Sequence, residues 1–248
     1  MAVVKSQVLL LRCQDWSESS QVVHLMAREV GRIRCLAKGS KRGLNLFGGP
    51  LDRWSLGEAV FSLRDPNKLA TLMELYELDR FEGLRTRLPA YLGACLVTEI
   101  VAALVPDADP QPALFDLVVE VLRELAAAEP EAARAVAFAA AWRLLDALGY
   151  EPNLERCVEC EAELPPKVPR EFSPGLGGVV CEACRAKAGG LVKLGVQAAQ
   201  AITFLRAADW NDVRRVRLTD ATARQVRTAL TTRIEELSGR QLCTARYV

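Results

Sequence analysis

The chain has 248 residues, 50% of them hydrophobic and 25% charged, with a formal net charge of +1. That balance is ordinary for a globular protein and excludes wholesale disorder, which needs low hydrophobicity and high net charge. The near-zero total hides a pattern: Lys and Arg outnumber Asp and Glu by 12 to 9 over residues 1–80 and by 10 to 5 over 191–248, whereas acids lead by 10 to 5 over 81–150 and by 7 to 5 over 151–190.

Residues 3–11, 21–27, 32–38, 54–63 and 69–78 are β-prone or apolar, with turn-like segments between them. Five short strands in about eighty residues predict a small closed barrel over residues 1–80. An OB-fold and an SH3-like barrel both fit that count. The first apolar run, Val8–Leu11, is cut by Arg12 and is too short for a signal peptide. The apolar stretches at 91–105 and 135–149 carry charges, so neither predicts a membrane span. A cytoplasmic protein is therefore expected, with its eight cysteines serving as thiols or metal ligands rather than disulfides.

After Pro89 the period becomes helical. The pattern predicts helices over 90–105, from Pro112 onward, from Pro130 to Leu148, and then over 195–208 and 220–238. Gly149 and Gly239 are placed to stop two of them, and Thr219 to cap the last. Residues 151–190 break the pattern with five prolines and five glycines. The division expected is a barrel at 1–80 and a helical domain at 81–248.

The strongest chemical signal is Cys157-Val-Glu-Cys160, twenty residues, then Cys181-Glu-Ala-Cys184. Two CxxC pairs can present four thiolates to one tetrahedral zinc ion. The Pro/Gly-rich loop between them cannot build a sizeable core, so the ion would do the folding there. The pattern also overlaps a zinc deaminase signature, with Glu159 as its proton carrier. Against that stand a fourth thiolate from Cys160, Val180 where the signature has proline, and the absence of flanking helices. Cys13, Cys35, Cys95 and Cys243 are expected to be small buried hydrophobes.

Between Arg28 and Arg42, six bases face one acid. A strand over 32–38 puts Arg32, Arg34, Leu36 and Lys38 on one face and turns Ile33, Cys35 and Ala37 inward. Lys41 and Arg42 follow in a Gly-flanked turn. Such a face suits a phosphate backbone, and equally a charged edge strand guarded against pairing. A second group comprises Arg214, Arg215 and Arg217, then Arg224, Arg227 and Arg233. It fits either a polyanion or an ordinary helix exterior. Trp16, Phe47 and Trp54 lie near the first group and are expected in the core. The single histidine, His24, reads as a half-buried strand residue. No Walker A loop, GxSxG, HExxH or GxGxxG occurs, so nothing names an enzymatic chemistry.

Several stretches resemble the RecO family of recombination mediators. They are the opening with Asp15-Trp-Ser-Glu-Ser19, then Gly31-Arg-Ile-Arg with Ala37-Lys-Gly-Ser-Lys-Arg42, and Glu171-Phe-Ser-Pro with Gly177-Gly-Val-Val-Cys-Glu-Ala-Cys184. The resemblance implies an α+β protein: an N-terminal five-stranded OB-fold, then a helical domain carrying a zinc knuckle at about 151–190. It implies binding to single- and double-stranded DNA and annealing of complementary strands. It also implies a RecR partner that helps load RecA, and contact with the acidic tail of the single-stranded-DNA-binding protein, SSB. Arg32, Arg34, Lys38, Lys41 and Arg42 fall on the signature that lines the family's DNA surface. Cys157, Cys160, Cys181 and Cys184 fall on its ligands for a structural zinc. Glu161 departs from the glycine often found there, which changes the tightness of that knuckle but removes no ligand. A nonenzymatic, nucleoid-associated mediator is thus expected. The competing reading is a zinc-stabilised adaptor for acidic peptides.

Overall fold

The structure, a computed structural model, describes residues 2–43, 46–63, 65, 68–165 and 167–248. The chain falls into two compact units: Met1–Glu82 with Val105–Arg123, and Gly83–Leu104 with Glu124–Val248.

In the first unit, β1 (Ala2–Asp15), β2 (Gln21–Ala27), β3 (Gly31–Ala37), β4 (Leu56–Leu63) and β5 (Ala70–Asp79) form a closed barrel in the order β1-β2-β3-β5-β4. Every pair is antiparallel except β3 with β5. This is the strand order of an OB-like barrel, and closure leaves it no free edge. Strand β1 is long enough to serve two neighbours. It pairs with β4 along Ala2–Leu9 and with β2 along Val8–Asp15. A bulge between Leu10 and Arg12 bends it from one to the other. The bulge also resets the alternation: Val8 and Leu10 sit in the barrel core, Cys13 packs against it, and Arg12 turns outward.

Fourteen buried side chains fill the barrel, with Phe61 the largest. The β3 alternation is as the sequence predicts: Ile33, Cys35 and Ala37 are buried and Arg34 is exposed. Gly31 is required where it stands. Its φ is +82°, and a Cβ there would lie 2.4 Å from the Asp109 carbonyl oxygen. The segment beginning at Val105 can therefore run against the start of β3, where the Ala108 N–H donates to the Arg32 carbonyl at 2.9 Å.

The second unit contains α1 (Gly83–Thr86), α2 (Leu88–Leu104), the last turn of α3 (Pro112–Ala127) and α4 (Pro130–Ala147). A sheet of β6 (Arg170–Ser173), β7 (Gly178–Val180) and β8 (Val192–Leu194) follows, and then α5 (Val196–Ala207), α6 (Trp210–Arg215) and α7 (Asp220–Ser238). Helix α4 is buried on all sides and packs against α2, α5, α6 and α7. Its alanines permit that close approach. Gly93 of α2 does the same, since a Cβ there would come within 2.7 Å of Leu125 and 3.2 Å of Ala137. The expected stops are present: Gly149 and Gly239 have φ of +82° and +64°, and the Thr219 hydroxyl accepts from the Thr222 N–H at 3.2 Å. Among the described residues no helix is long and apolar enough to cross a membrane.

Two expectations need correction, beside Cys13 and Cys95, which are half-buried rather than buried. Trp16 is 68% exposed, because it lies in the β1–β2 turn rather than on a strand. Cys243 is exposed, on a C-terminal segment held by backbone rather than by burial: the N–H groups of Cys243 and Thr244 both donate to the Glu99 carboxylate, at 2.6 and 2.9 Å.

Candidate metal centre and nucleic-acid interface

The sulfur atoms of Cys157, Cys160, Cys181 and Cys184 all lie within 4.8 Å of one another. Cys160 and Cys181 are 3.7 Å apart. Four thiolates on a tetrahedral zinc at about 2.3 Å are separated by about 3.8 Å, so the cluster already has the right size. Local hydrogen bonds explain the convergence. The Val158 N–H donates to the Val179 carbonyl and the Val179 N–H to the Asn153 carbonyl, each at 2.9 Å. These bonds stitch the first CxxC to β7, which leads directly into Cys181. Gly178 makes the approach possible, because a Cβ there would meet Val158 at 2.3 Å. Around the second pair, the N–H groups of Cys184 and Arg185 both donate to the Cys181 carbonyl.

The thiols are electrostatically unequal. Burial opposes ionisation of Cys157, yet backbone N–H groups of Cys181, Cys160 and Glu159 pull its sulfur down to about 6. Hydrogen bonding with the Cys181 and Cys160 sulfurs pushes Cys184 up to about 12. One charge can be held this way, but four cannot share so small a volume without a cation. A soft divalent ion fits that donor set. Cys157, Val180 and Cys184 form a small buried cluster, with Val158, Leu164, Cys181, Ala188 and Leu191 packed half-buried against it. Glu159 is exposed, and four sulfurs fill the positions of a tetrahedral ion, so the open water site of a deaminase is not formed.

The basic residues of the first unit have different roles. Arg32 is held by Asp107 at 3.0 Å and donates to the Val105 carbonyl, so its charge serves the fold. Arg34 on β3 and Lys38 just beyond it are exposed, with neither hydrogen bond nor ion pair among the described residues. Lys41 pairs with Asp15 at 2.6 Å, and Arg42 is exposed. The Lys41 N–H donates to the Ser19 carbonyl at 3.1 Å, and the Gly39 N–H to the Ser20 hydroxyl at 3.2 Å. Those bonds tie the turn after β3 to the turn carrying Trp16. Phe47 is half-buried and Trp54 fully buried.

In the second unit most of the predicted arginines serve structure. Arg214 reaches Glu124 and also Asn211, the latter at 2.6 Å. Arg215 lies 3.5 Å from Asp212, and Arg217 donates to the carbonyls of Arg214 and Val216. Arg227 is half-buried against the Val248 carbonyl, and Arg233 is buried, donating to the Pro174 and Gly175 carbonyls. Arg224 is exposed on α7.

Sequence reasoning missed three residues of the first unit: Arg12, His24 and Trp16. Strand register brings the first two together with Arg34, since Arg12 pairs with His24 and His24 with Arg34. The bulge in β1 hides this from any period-two reading. Trp16 could have been found from its place in a polar turn, Asp15–Ser20.

Residues 1–79 match the family model described as Recombination protein O N terminal, and residues 85–244 match Recombination protein O C terminal. The chain is 32% identical over 243 residues to the DNA repair protein RecO of Anaeromyxobacter sp. (strain Fw109-5), covering 97% of this chain and 93% of that protein. It is 31% identical over 245 residues to the protein of the same name from Anaeromyxobacter dehalogenans (strain 2CP-C), covering 99% and 95%. The match to the RecO of Syntrophobacter fumaroxidans is 37% over 164 residues, and there the chain spans 64% of the relative's length.

Proposed function

The chain belongs to the RecO family of DNA repair proteins, and from that premise we propose that it is a nonenzymatic recombination mediator that binds single- and double-stranded DNA and anneals complementary strands. With RecR it helps load RecA onto SSB-coated DNA, and it works in the cytoplasm on the nucleoid. The observation that carries this reading is Arg34 and Lys38 on the barrel, exposed and without an ion pair among the described residues, with Trp16 exposed in the β1–β2 turn. OB barrels bind oligonucleotides on their β2–β3 face and through the β1–β2 loop, where these residues lie.

The physics needs no covalent step. Annealing brings two phosphate backbones together against repulsion, and displaced counterions supply much of the free energy. Arg34, Lys38 and Arg42 would neutralise one strand, with Arg32 and Lys41 positioning the face. Arg224, with Arg215 and Arg217, would serve a second strand, and Arg214 and Arg227 would brace that region. A zinc ion on the four cysteines would be structural. It would supply a fixed tetrahedral cross-link, and the residues holding it would fold β6, β7 and β8.

For the SSB tail, the second unit offers a groove of about 630 Å³ lined by Leu154, Leu164, Arg170, Ala199 and Phe204. Arg170 is buried; its Nη2 donates to the Pro165 carbonyl at 3.4 Å, and its Nη1 has no hydrogen-bond partner among the described residues. A buried cation left so costs free energy that an incoming carboxylate would recover. Phe204, 42% exposed, gives an apolar neighbour its seat.

Fluorescence anisotropy of a labelled single strand, titrated at several salt concentrations, tests the reading. Binding should be indifferent to sequence and weaken steeply with salt. Replacing Arg34 and Lys38 by Gln should flatten the slope by about 0.7 for each lost contact. Trp16→Ala should cost about 1–3 kcal/mol on single strands, the magnitude for one stacked base. No binding at low salt would overturn the mediator reading and leave the acidic-peptide adaptor.

A further inference from the structure

The outer face of the barrel carries a second feature, which does not follow from the basic segment in the sequence. In the β1–β2 and β2–β3 registers, Arg12, His24 and Arg34 stand directly opposite one another on three adjacent strands. Directly opposed residues of an antiparallel pair hold their Cβ atoms about 4.5–5.5 Å apart. Arg12 and Arg34 are exposed and His24 is half-buried between them. Three nitrogen-bearing side chains in a row with like-charge repulsion is an unfavourable arrangement for a barrel surface in isolation. Neither arginine has a carboxylate partner among the described residues. Arg12 meets only the Gln14 side-chain amide, whose oxygen accepts from Nε at 3.0 Å in the orientation that satisfies both groups.

We propose that Arg12, His24 and Arg34 form a phosphate-binding row across β1, β2 and β3, with His24 as its protonatable member. The proposal rests on the DNA-binding reading above and adds to it a named site and a proton. The charged groups facing His24 are Arg12 from β1, Arg32 and Arg34 from β3, and Asp107 from the segment after α2. Burial and then the three arginines hold the imidazole below its usual 6.5, and Asp107 opposes them weakly. Asp107 is already committed to Arg32 at 3.0 Å. A phosphate docking on Arg12 and Arg34 adds the missing negative charge beside the imidazole. It must therefore raise the histidine's proton affinity, and by linkage a proton on His24 must strengthen phosphate binding by the same factor.

The sign is fixed by that argument. The folded, free protein holds His24 neutral through most of the physiological range, and the complex takes up a proton as pH falls through the bound value. Affinity for a single strand should rise severalfold from pH 8 to pH 5.5 as the complex takes up that proton. The salt slope should be steeper at pH 5.5 by about 0.7, one additional neutralised phosphate on a single strand.

His24 is the only histidine of the chain, so NMR of the untagged protein reads its titration without ambiguity. The expected result is an imidazole titration that moves up when a saturating dT oligonucleotide is added. An unchanged midpoint in the saturated complex overturns the row. In parallel, His24→Gln should abolish the pH dependence of anisotropy, and Arg12→Gln should lower the salt slope at both pH values. A full pH dependence surviving in His24→Gln also overturns it. Both outcomes are distinguishable from failure of the DNA-binding reading, which would remove salt-dependent binding of the unaltered protein at every pH.

Discussion

The barrel and the cysteine module are both small β structures, and they are held by different forces. The barrel closes five strands over fourteen buried side chains. The module has three strands of three or four residues; Phe172, Val179 and Leu194 are buried, but the cluster about the sulfurs buries only Cys157, Val180 and Cys184 among the described residues. A hydrophobic core grows with the number of side chains it can enclose, and a module this short cannot enclose enough. What it has instead is four sulfurs brought within one coordination sphere by backbone hydrogen bonds and by Gly178. The comparison teaches that the barrel should be indifferent to metal, while the module should owe its order to it.

The largest expected effect follows directly. Where the four cysteines hold an ion, a strong chelator that strips it should remove folding free energy that in small zinc modules is on the order of 10 kcal/mol. Hydrogen exchange should then lose protection at β6, β7 and β8 and keep it at β1 to β5. Cys184→Ser should behave the same way without chelator. If single-strand affinity falls with the module, the interface is not the barrel alone, and the comparison breaks at the level of function. Equal loss of protection in both sheets would break it at the level of structure.

The converse experiment acts on the barrel. Phe61 is fully buried at its centre. Phe61→Ala should cost about 3–5 kcal/mol, the usual range for an aromatic core truncation. Denaturant melting should show that loss in full with metal saturating, because no ion bridges the barrel. Rescue by added metal would show that the two forces are not separable.

What the residues reveal in sequence follows the same division. The five strands and most helices are legible because burial imposes a period, as Ile33, Cys35 and Ala37 do on β3. The four cysteines are legible because a paired CxxC spacing lets four sulfurs converge, as they do within 4.8 Å here. Two kinds of information are not periodic. The bulge at Leu10/Arg12 shifts the face of every later residue of β1, so Arg12 joined an outward row that strict alternation turns inward. The fate of each arginine depends on a distant acceptor: Arg214 on Glu124, Arg32 on Asp107, Arg233 on the Pro174 carbonyl. No local pattern records those partners, so a run of basic residues predicted a patch where the fold had already used much of the charge. The short strands β6 to β8 escaped for another reason, since Pro and Gly dominate their surroundings and three residues carry no alternation.

The smallest effect sharpens the comparison at one residue. Glu161 follows Cys160 and has φ of +60°, the left-handed region. Its N–H donates to the Cys157 carbonyl at 2.8 Å, so this conformation closes the first knuckle. A side chain there costs about 1–2 kcal/mol relative to glycine, and the greater freedom of glycine in the unfolded chain returns about 0.4–1 kcal/mol of that. Glu161→Gly should therefore stabilise the module by roughly 0.5–1 kcal/mol, a metal affinity about two- to fivefold tighter in chelator competition. The barrel should not change. Glu159→Gly, two residues earlier and outside the left-handed region, has only the entropic loss and should weaken retention slightly. If both variants weaken it, the glutamate side chain rather than the backbone sets the knuckle.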